Sequence, residues 1–582
     1  MSELESRLDE IVLKHFGKNY KFRKYQKEVI LNICETFLDR KVESYILELP
    51  TGGGKSHIAM AVSRLLNTYN NRGYILASDL SLQAQYETDL LRFQFDFGNI
   101  KGIDNYICPE NGEKHSLGEC TICGIPYNQR QSLPCYRNCP YYQARDKAIK
   151  TDTSLLNYSY GLICRNYVDQ NCEAGEMWGQ RDFVICDEAH KVIEIVQNHF
   201  SPRIDITTNS KLERLREFFI EHDFGDIREV SKTQLASTID RLFTETNPKI
   251  LQETLCDFEF QLEAAKDKAE LMKLWISKRY SFRGKQMPRD IFYAMSLLDY
   301  CKDIHCKVED YNAIIAGTGV KSLIKNPAEE SITFNCLDES YLMTRYFHEK
   351  FGFSVFMSAT IGDPKQFAIT NKLESAKGLR LPSNFDFGKS PIICLTGRKM
   401  SYSEKEQNFP FMISKVEEIM DYHRDEKGII HTGSYSFGSQ LFNGLSSKHK
   451  KRILFYNTSE QKREILEQFY KSKDKILIGP SILEGVDFYD DRSRFQVYLK
   501  VPYPSLADKF IAAKLQESQS YYNRKTILSF VQGVGRSVRN ETDFCSTYVL
   551  DGCFQALYFG NQNEFADDFK KRVIWKSFDE KL

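Results

Sequence analysis

The sequence has no excess charge of either sign and no long apolar run. Lysine plus arginine number 79, as do aspartate plus glutamate, so the formal net charge is zero. A chain-wide basic surface for nucleic acid is therefore excluded, although a local basic groove fits within a neutral total. Neither an apolar N-terminal segment nor a run of about 18 apolar residues occurs. We therefore expect no signal peptide, no membrane span and a cytoplasmic location.

Internal repeats and low-complexity segments are also lacking, and 42% of the residues are apolar, so we expect large buried cores rather than disorder. Short apolar runs alternate with helical patterns, which predicts doubly wound α/β layers with buried parallel strands. The predicted strands are Tyr45–Leu49, Tyr74–Ala77, Phe183–Cys186, Val355–Met357, Ile392–Leu395, Gly428–Thr432, Ile453–Tyr456, Lys475–Ile478, Gln496–Lys500 and Thr547–Leu550.

Two stretches interrupt this alternation. Residues 100–150 are rich in Cys, Gly, Pro and Asn, and residues 205–325 have a charged, mainly helical pattern. We interpret both as insertions into the first of two α/β units. The first unit then comprises residues 1–99, 151–204 and 326–388, and the second comprises residues 389–582.

A glycine-rich turn follows the first predicted strand, in the segment Pro50-Thr51-Gly52-Gly53-Gly54-Lys55-Ser56. Strand, glycine-rich turn and helix form the context of a P-loop, where Thr51 and the glycines surround the phosphates of ATP. Lys55 would reach the β- and γ-phosphates, and Ser56 would hold Mg²⁺. Leu49 stands where the usual pattern has its first glycine, so a glycine-rich turn that binds nothing is the alternative.

The strand Phe183–Cys186 ends on two adjacent carboxylates, Asp187 and Glu188, followed by Ala189 and His190. Asp187 is suited to support Mg²⁺, and Glu188 is suited to orient and deprotonate an attacking water. A solvated strand end is the alternative, but together with Lys55 the pair supplies both halves of a hydrolytic site. His190 either couples the nucleotide state to a neighbouring segment or is a packed core histidine.

Near the C-terminus the chain reads Gln532-Gly533-Val534-Gly535-Arg536-Ser537-Val538-Arg539. Arg536 and Arg539 lie three positions apart, so on a helix they share one face. Two guanidinium groups aimed across a cleft would stabilise charge on the γ-phosphate. Two ordinary surface arginines are the alternative.

Five of the sixteen cysteines cluster in the first insertion, at Cys108, Cys120, Cys123, Cys135 and Cys139. In a reducing compartment such a group indicates a metal site. Four thiolates hold either tetrahedral Zn²⁺ or a [4Fe–4S] cluster, and the spacing alone favours zinc. Other cysteines, such as Cys186 and Cys394, are interpreted as buried apolar residues.

The order of these motifs resembles that of the XPD/DinG-type DNA helicases of superfamily two. The resemblance runs from about residue 22 to residue 551. Besides the Asp-Glu-Ala-His (DEAH box) and Gln532–Arg536 motifs, it rests on Met357-Ser358-Ala359-Thr360, on Glu484-Gly485-Val486-Asp487, and on Arg23 and Gln26 upstream of the P-loop. Asn105-Tyr106-Ile107-Cys108 and Cys139-Pro140-Tyr141-Tyr142 resemble the first and last ligand segments of the iron–sulfur domain of that family.

The resemblance implies two RecA-like motor domains with ATP and Mg²⁺ between them. Lys55, Asp187 and Glu188 would lie on one side and Gln532, Arg536 and Arg539 on the other. Arg23 and Gln26 would contact adenine, and Gly485 and Asp487 would join the nucleotide site.

The same resemblance makes residues 100–150 an iron–sulfur domain, in which four of the five clustered cysteines hold a [4Fe–4S] cluster rather than zinc. Residues 205–325 would form a helical arch beside the DNA. The implied partner is single-stranded DNA and tailed or forked duplex DNA, along which a monomer moves 5′ to 3′ and separates the strands. Residues that resemble nucleic-acid contacts are Ser78, Leu82, Gln85, Ser358, Thr360, Ser434 and Tyr435.

Two further functions agree with the sequence. One is a nucleic-acid-stimulated ATPase that remodels protein–DNA or RNA complexes without unwinding. The other is a zinc-bearing binding protein with an inactive nucleotide fold, against which the intact Lys55, Asp187, Glu188 and Arg536 argue.

Overall fold

The architecture was obtained from a computed structural model of the chain. Scattered positions between 241 and 309 are described, together with residues 2–50, 52–118, 120, 130–169, 177–201, 203–205, 312–328, 331–383, 387–458, 460–480, 488, 490–538 and 543–581.

All ten predicted strands are present, with ends that differ by one or two residues. The strands are β1 Ser44–Glu48, β2 Gly73–Ala77, β3 Gly98–Asn99, β4 Thr153–Asn157, β5 Phe183–Asp187, β6 Arg203–Asp205, β7 Leu323–Ala328, β8 Ser331–Cys336, β9 Phe353–Ser358, β10 Ala376–Arg380, β11 Ile392–Thr396, β12 Gly428–His431, β13 Ile453–Phe455, β14 Ile476–Gly479, β15 Phe495–Tyr498, β16 Ser546–Val549 and β17 Val573–Ser577.

Helices follow most of these strands. The α-helices are Glu3–Ile11, Gln26–Asp39, Lys55–Asn67, Leu80–Arg92, Pro140–Lys150, Tyr158–Ile163, Val192–Phe200, Glu339–Met343, Pro364–Thr370, Lys405–Tyr422, Tyr435–Gly444, Ser447–Lys450, Gln461–Lys471, Lys509–Glu517, Gln519–Val534, Cys553–Gly560 and Asp567–Arg572.

Two seven-stranded parallel sheets organise the chain, in the orders β10-β1-β9-β5-β2-β4-β3 and β13-β14-β12-β15-β16-β11-β17. We call the first sheet with its flanking helices the first lobe and the second sheet with its helices the second lobe. The prediction of two doubly wound parallel α/β units is confirmed. Residues after the carboxyl ends of β1, β5 and β9 therefore meet at one edge of the first sheet.

Both faces of each sheet are buried because successive strand residues point to opposite sides. In β1, Ile46 packs into one core cluster, while Tyr45 and Leu47 pack into the cluster on the other face. In the second sheet, Leu395 and Cys394 of β11 likewise join different clusters. The prediction that Cys186 and Cys394 are buried core residues is confirmed, since both have no exposed area.

The two predicted insertions are described in part. Residues 100–150 contain the helix Pro140–Lys150, which the sequence reading did not predict, and it begins directly after Cys139. The ends of the predicted arch meet in a three-stranded antiparallel sheet of order β6-β8-β7. Most of 205–325 lies outside the described residues, and the domain boundaries stay predictions. Within the described residues, no helix combines the length and apolarity required to cross a bilayer.

The expectation that Arg536 lies on a helix is wrong, and its pairing with Arg539 stays a prediction. The helix Gln519–Val534 ends before Arg536, which lies in the 3₁₀ turn Gly535–Ser537. Val538 then adopts an extended conformation, with φ −132° and ψ 113°. Arg536 is therefore held by a turn, and Arg539 itself lies outside the described residues.

Candidate functional site

The glycine-rich turn depends on backbone conformations that favour glycine. Gly52 and Gly54 have φ angles of 80° and 81°, in the left-handed region. A Cβ atom on Gly54 would collide with the amide of Gln26, and one on Gly53 would collide with the Leu49 side chain. Leu49 is buried and packs directly beneath the turn. Leu49, in place of the usual first glycine, thus adds an apolar side chain beneath the turn. The left-handed conformations of Gly52 and Gly54 maintain the shape of the turn.

Arg23 and Gln26 hold this turn from outside. The Arg23 backbone N–H donates to Gln26 Oε1 at 2.7 Å, and Gln26 Nε2 donates to the Gly54 carbonyl at 3.3 Å. The Arg23 guanidinium donates to the Gly52 carbonyl. Tyr20, which the sequence reading missed, adds a hydroxyl donor to Gln26 Oε1 at 3.4 Å. These three residues hold the turn at the start of the helix Lys55–Asn67, whose N-terminus favours anions.

Asp187 is held by a tyrosine that sequence reasoning did not identify. Its Oδ2 accepts a hydrogen bond from the Tyr86 hydroxyl at 2.7 Å, and its Oδ1 accepts from the Glu188 N–H at 2.8 Å. Burial raises the pKa of Asp187, although Lys55 opposes the shift. Ser56 Oγ donates to Asp89 Oδ2 at 3.4 Å, and Asp89 lies on the same helix as Tyr86. Spacing along the chain gave no signal for Tyr86 or Asp89.

Glu188 lies beside Lys55 at the carboxyl edge of the first sheet. Lys55 Nζ is 3.9 Å from Glu188 Oε1, with 12% and 29% of the two side chains exposed. Burial opposes ionisation, but Lys55, His190, Lys191 and Arg536 together lower the pKa of Glu188. Glu188 also has φ 51°, a left-handed conformation that is uncommon for a residue with a side chain. The result is an ionised carboxylate held in a strained turn.

His190 connects the two lobes. Its Nε2 lies 3.1 Å from Gln532 Nε2 of the second lobe, and its Nδ1 lies 2.8 Å from Ser358 Oγ and 3.3 Å from Glu188 Oε2. Since an amide nitrogen can only donate, His190 Nε2 is the acceptor and Nδ1 carries the proton. Burial lowers the pKa of His190, which agrees with a neutral ring. The coupling interpretation of His190 therefore has the geometry that it requires.

A cleft of about 500 Å³ separates the lobes. Glu188 lines it on the first lobe, and Gln532 and Arg536 line it on the second. Most of the residues that resemble nucleic-acid contacts line the same cleft, namely Ser78, Leu82, Gln85 and Thr360, whereas Ser358 is fully buried behind them. Ser434 lies elsewhere, where it caps the helix Tyr435–Gly444 by accepting from the Phe437 N–H at 3.2 Å.

Four of the five clustered cysteines are described. Cys108, Cys120 and Cys139 are buried, and Cys135 is partly buried. Burial, and then the neighbouring Cys120, Glu110 and Cys108, raise the pKa of the Cys135 thiol to about 11. Among the described residues, no three metal-binding side chains already lie together at a site that could hold an ion. The donor chemistry fits a thiolate-bound metal, because Cys135 and Cys139 both lie close enough to Cys120 and Cys108 for the thiols to influence one another.

Aromatic rings enclose the cysteines. Tyr142 donates or accepts a hydrogen bond with Cys120 Sγ at 3.2 Å, and its ring stacks on Tyr136 at 4.5 Å. His115 is fully buried beside Tyr141, with ring centroids 4.6 Å apart. Such a shell limits solvent access to the sulfur atoms.

Several candidate residues cannot be placed. Those outside the described residues are Thr51, Cys123, Gly485, Asp487 and Arg539. Their assignments stay predictions.

Two family models match the chain. The helicase C-terminal domain model matches residues 416–567, and the model of the type III restriction enzyme res subunit matches residues 19–207. Among curated proteins, the ATP-dependent DNA helicase YoaA of Escherichia coli (strain K12) is 20% identical over 605 residues, which cover 90% of this chain and 90% of that protein. The matched regions contain both sets of motifs described above.

Solved structures of the same architecture agree. The structure of S. tokodaii Xpd4 has a TM-score of 0.58 at 14% identity, covering 95% of this chain and 100% of that one. An XPD helicase structure has a TM-score of 0.59 at 15% identity, covering 96% and 100%. This likeness establishes the fold, and the two family models and the whole-length relative show that the chain is similar to helicases in both lobes.

Proposed function

We propose that this chain is an ATP-driven DNA helicase that moves on single-stranded DNA and separates duplex DNA. One observation carries the proposal. Glu188 lies 3.9 Å from Lys55 of its own lobe and lines the same cleft as Arg536 of the other lobe. A base, a phosphate-binding cation and a cation from a second domain are the parts that hydrolysis between two motor domains requires.

Each residue then has a role at the bound nucleotide. The turn formed by Thr51–Gly54 surrounds the phosphates, Lys55 contacts the β- and γ-phosphates, and Arg23 and Gln26 border the adenine. Mg²⁺, held through Ser56 and Asp187, would neutralise charge on the phosphate oxygens. Glu188 accepts a proton from the attacking water, for which its lowered pKa keeps it ionised.

The second lobe contributes to the same reaction. Arg536 and Arg539 stabilise charge on the γ-phosphate from across the cleft, and Gly485 and Asp487 complete the nucleotide site. Gln532 is connected to Glu188 by consecutive hydrogen bonds through His190 and Ser358. Closure of the cleft therefore acts on Glu188 through these contacts. Closing and opening would then move the bound strand, a gating role for the conformational change.

The hydroxyl and amide side chains along the cleft suit a sequence-neutral track. Ser78, Gln85 and Thr360 are uncharged and contact phosphate or sugar without reading bases. Leu82 gives the same wall an apolar surface. Ser434 and Tyr435 extend the track onto the second lobe.

DNA as the substrate is supported by a whole-length relative that is named as a DNA helicase. The 5′-to-3′ direction and the monomeric state follow from the family resemblance alone. We assign residues 1–99, 151–204 and 326–388 to motor domain 1, 389–582 to motor domain 2 and 205–325 to the arch, in a DNA-associated cytoplasmic protein.

For the insertion at 100–150, we propose a [4Fe–4S] cluster bound by Cys108, Cys120, Cys135 and Cys139. Cys135 is our candidate for the fourth place because its thiol neighbours Cys120 and Cys108, and Cys123, which lies outside the described residues, is the alternative. The cluster would hold together a small domain near the point of strand separation. A Cys123→Ser variant should keep about four irons per chain, whereas Cys135→Ser should lose them. One zinc and no iron in the wild type would refute the cluster.

The direction of movement tests the function. Duplexes carrying a single-stranded 5′ tail or a 3′ tail of equal sequence are incubated with the protein, ATP and Mg²⁺, and strand displacement is followed by fluorescence. We expect displacement from the 5′-tailed duplex only. Displacement of neither duplex, with hydrolysis still stimulated by single strands, would favour the remodelling ATPase. A Lys448→Ala variant, changed at an exposed lysine, serves as the control.

A further inference from the structure

Four charged side chains with little exposed area cluster around the loop Ile361–Asp363, and they come from both lobes. They are Glu48, Arg380, Arg524 and Glu564. Glu48 Oε2 of the first lobe accepts the N–H groups of Ile361 and Gly362, each at 2.7 Å. From the second lobe, Arg524 Nη2 donates to the Ile361 carbonyl at 2.6 Å, and Glu564 Oε2 accepts the Asp363 N–H at 2.9 Å. One three-residue loop is therefore bonded to both sides of the cleft.

Each carboxylate in this cluster has an arginine partner. Arg380 Nε lies 3.0 Å from Glu48 Oε1, and Arg524 Nη1 lies 2.9 Å from Glu564 Oε2. The exposed fractions of the four side chains are 8% for Glu48, 20% for Arg380, 10% for Arg524 and 9% for Glu564. Arg380 also donates across the interface to the Asn563 carbonyl at 3.1 Å. Burial raises the pKa of Glu48 to about 7, although Arg380 opposes the shift. Removing one member of a cluster with this little exposure leaves its partner buried and unpaired.

Another residue at 362 would strain the loop in this position. Gly362 has φ 76°, and a Cβ atom there would collide with Glu564 Oε2. The glycine thus allows the second lobe to reach the loop backbone.

The loop also connects two parts of the proposed site. It follows Thr360 directly, and Glu48 lies opposite Ser358 in the pairing of β1 with β9. Glu48 is the last residue of β1, just before Leu49 and the glycine-rich turn. Arg524 lies on the helix Gln519–Val534, which carries Gln532. A shift of that helix therefore pulls on the loop and, through Glu48, on the strand that presents the phosphate turn.

We propose that Glu48, Arg380, Arg524 and Glu564 are positioning residues that couple movement of the second lobe to the phosphate-binding turn, by a route separate from the His190–Gln532 contact. The inference rests on the proposed ATP-driven function. Single-stranded DNA should act on the ATPase rate through these four side chains. Glu48 and Glu564 line the cleft, but none of the four is among the residues that we assign to the phosphates, Mg²⁺ or adenine.

The test separates coupling from stability with a double variant. Replacing one member of a buried ion pair destabilises a protein strongly, but replacing both with apolar residues is often neutral. We expect Arg524→Leu alone to lower Tm and Arg524→Leu with Glu564→Leu to recover most of it. The double variant should still lose about 5-fold or more of the DNA-stimulated kcat, while the KM for ATP and the unstimulated rate stay within about 2-fold of wild type.

Two controls make the result decisive. The Glu564→Gln variant keeps the size of the side chain and should show the same selective loss even if the double variant fails to fold. The double variant Lys415→Met with Glu418→Leu removes a comparable ion pair, with atoms 2.6 Å apart, from the second lobe and should leave stimulation unchanged. A folded Glu564→Gln protein with wild-type stimulation would overturn the inference. Absence of DNA stimulation in the wild type would instead refute the proposed function.

Discussion

His190 of the first lobe accepts a hydrogen bond from Gln532 of the second lobe, with 3.1 Å between the two nitrogens. The other ring nitrogen of His190 contacts Ser358 at 2.8 Å, and Ser358 donates to Glu188 at 3.4 Å. The proposed catalytic base is therefore three hydrogen bonds from the second lobe. These hydrogen bonds connect closure of the lobes directly to the Glu188 carboxylate. The His190–Gln532 contact is therefore the first to test.

Replacing Gln532 with leucine should weaken this closure without unfolding the protein. Loss of one hydrogen bond costs about 1 kcal/mol, so we expect a decrease of about 5-fold or more in DNA-stimulated ATP hydrolysis, measured as kcat. Gln519→Leu, on the same helix but exposed, should hydrolyse ATP at the wild-type rate. Equal rates for Gln532→Leu and Gln519→Leu would contradict a coupling role.

The neutral state of His190 predicts a dependence on pH. Because burial lowers its pKa, the unfolded chain takes up a proton near the ordinary value of about 6.5 while the folded chain does not. Stability should therefore fall as the pH drops below about 6.5, by up to about 1.4 kcal/mol per pH unit until the folded ring also titrates. Protonation would also place a donor against the Gln532 amide.

Thermal unfolding between about pH 5 and pH 8 measures this effect. His190→Asn should lose less stability on acidification than the wild type, since other buried histidines titrate equally in both proteins. An equal loss of stability on acidification in the variant and the wild type would show that His190 does not contribute to the pH dependence.

Tyr86 should prove to be a positioning residue for Asp187. Tyr86→Phe removes the 2.7 Å donor to a buried carboxylate, which costs about 1–3 kcal/mol of stability. We also expect more Mg²⁺ to be required for half-maximal ATP hydrolysis, because Asp187 loses its fixed orientation. Tyr402→Phe, at a side chain that is 91% exposed, is the control and should change neither property. An unchanged Mg²⁺ requirement in Tyr86→Phe would refute the positioning role.

Gly54→Ala should impair nucleotide binding at the phosphate turn. The new Cβ meets the Gln26 amide and forces a left-handed φ of 81°, at a cost of about 1–2 kcal/mol. We expect a weaker Kd for ATP in equilibrium binding. Gly560→Ala, where a Cβ meets nothing within 4 Å, should bind normally. Normal binding by Gly54→Ala would mean that the turn is not the phosphate site.

The sequence predicted strands where apolar residues are dense and missed those where they are sparse. β10 and β17 are edge strands of mixed exposure in which no residue is fully buried. Polar residues interrupt the apolar pattern of β10, and only the first three residues of β17 are apolar. β4 lies inside the sheet, but only Leu155 and Leu156 of its five residues are large and apolar. The order of the two lobes was predictable because most of the interior strands, such as β1, β2, β5 and β14, contain short apolar runs.

The residues of the candidate site also divide into those that the sequence predicted and those that it missed. Lys55, Asp187 and Glu188 were recognisable because each follows a strand at a fixed offset. Tyr86 and the Glu48 cluster were not, because their partners lie about 40 to more than 300 positions away and ordinary polar residues give no periodic signal. The helix end at Val534 was missed because no proline marks it, and Gly535 has the ordinary right-handed helical conformation, with φ −72° and ψ −9°.

ATP hydrolysis and strand displacement, measured in the same reaction, show whether this protein is an ATP-driven helicase. A 5′-tailed DNA duplex is mixed with wild type or with Lys55→Ala, and phosphate release and strand separation are recorded together. We expect the wild type to do both and Lys55→Ala to lose about 10²–10³-fold of each. Full strand separation by Lys55→Ala, or hydrolysis by wild type with no separated strand, would contradict an ATP-driven helicase.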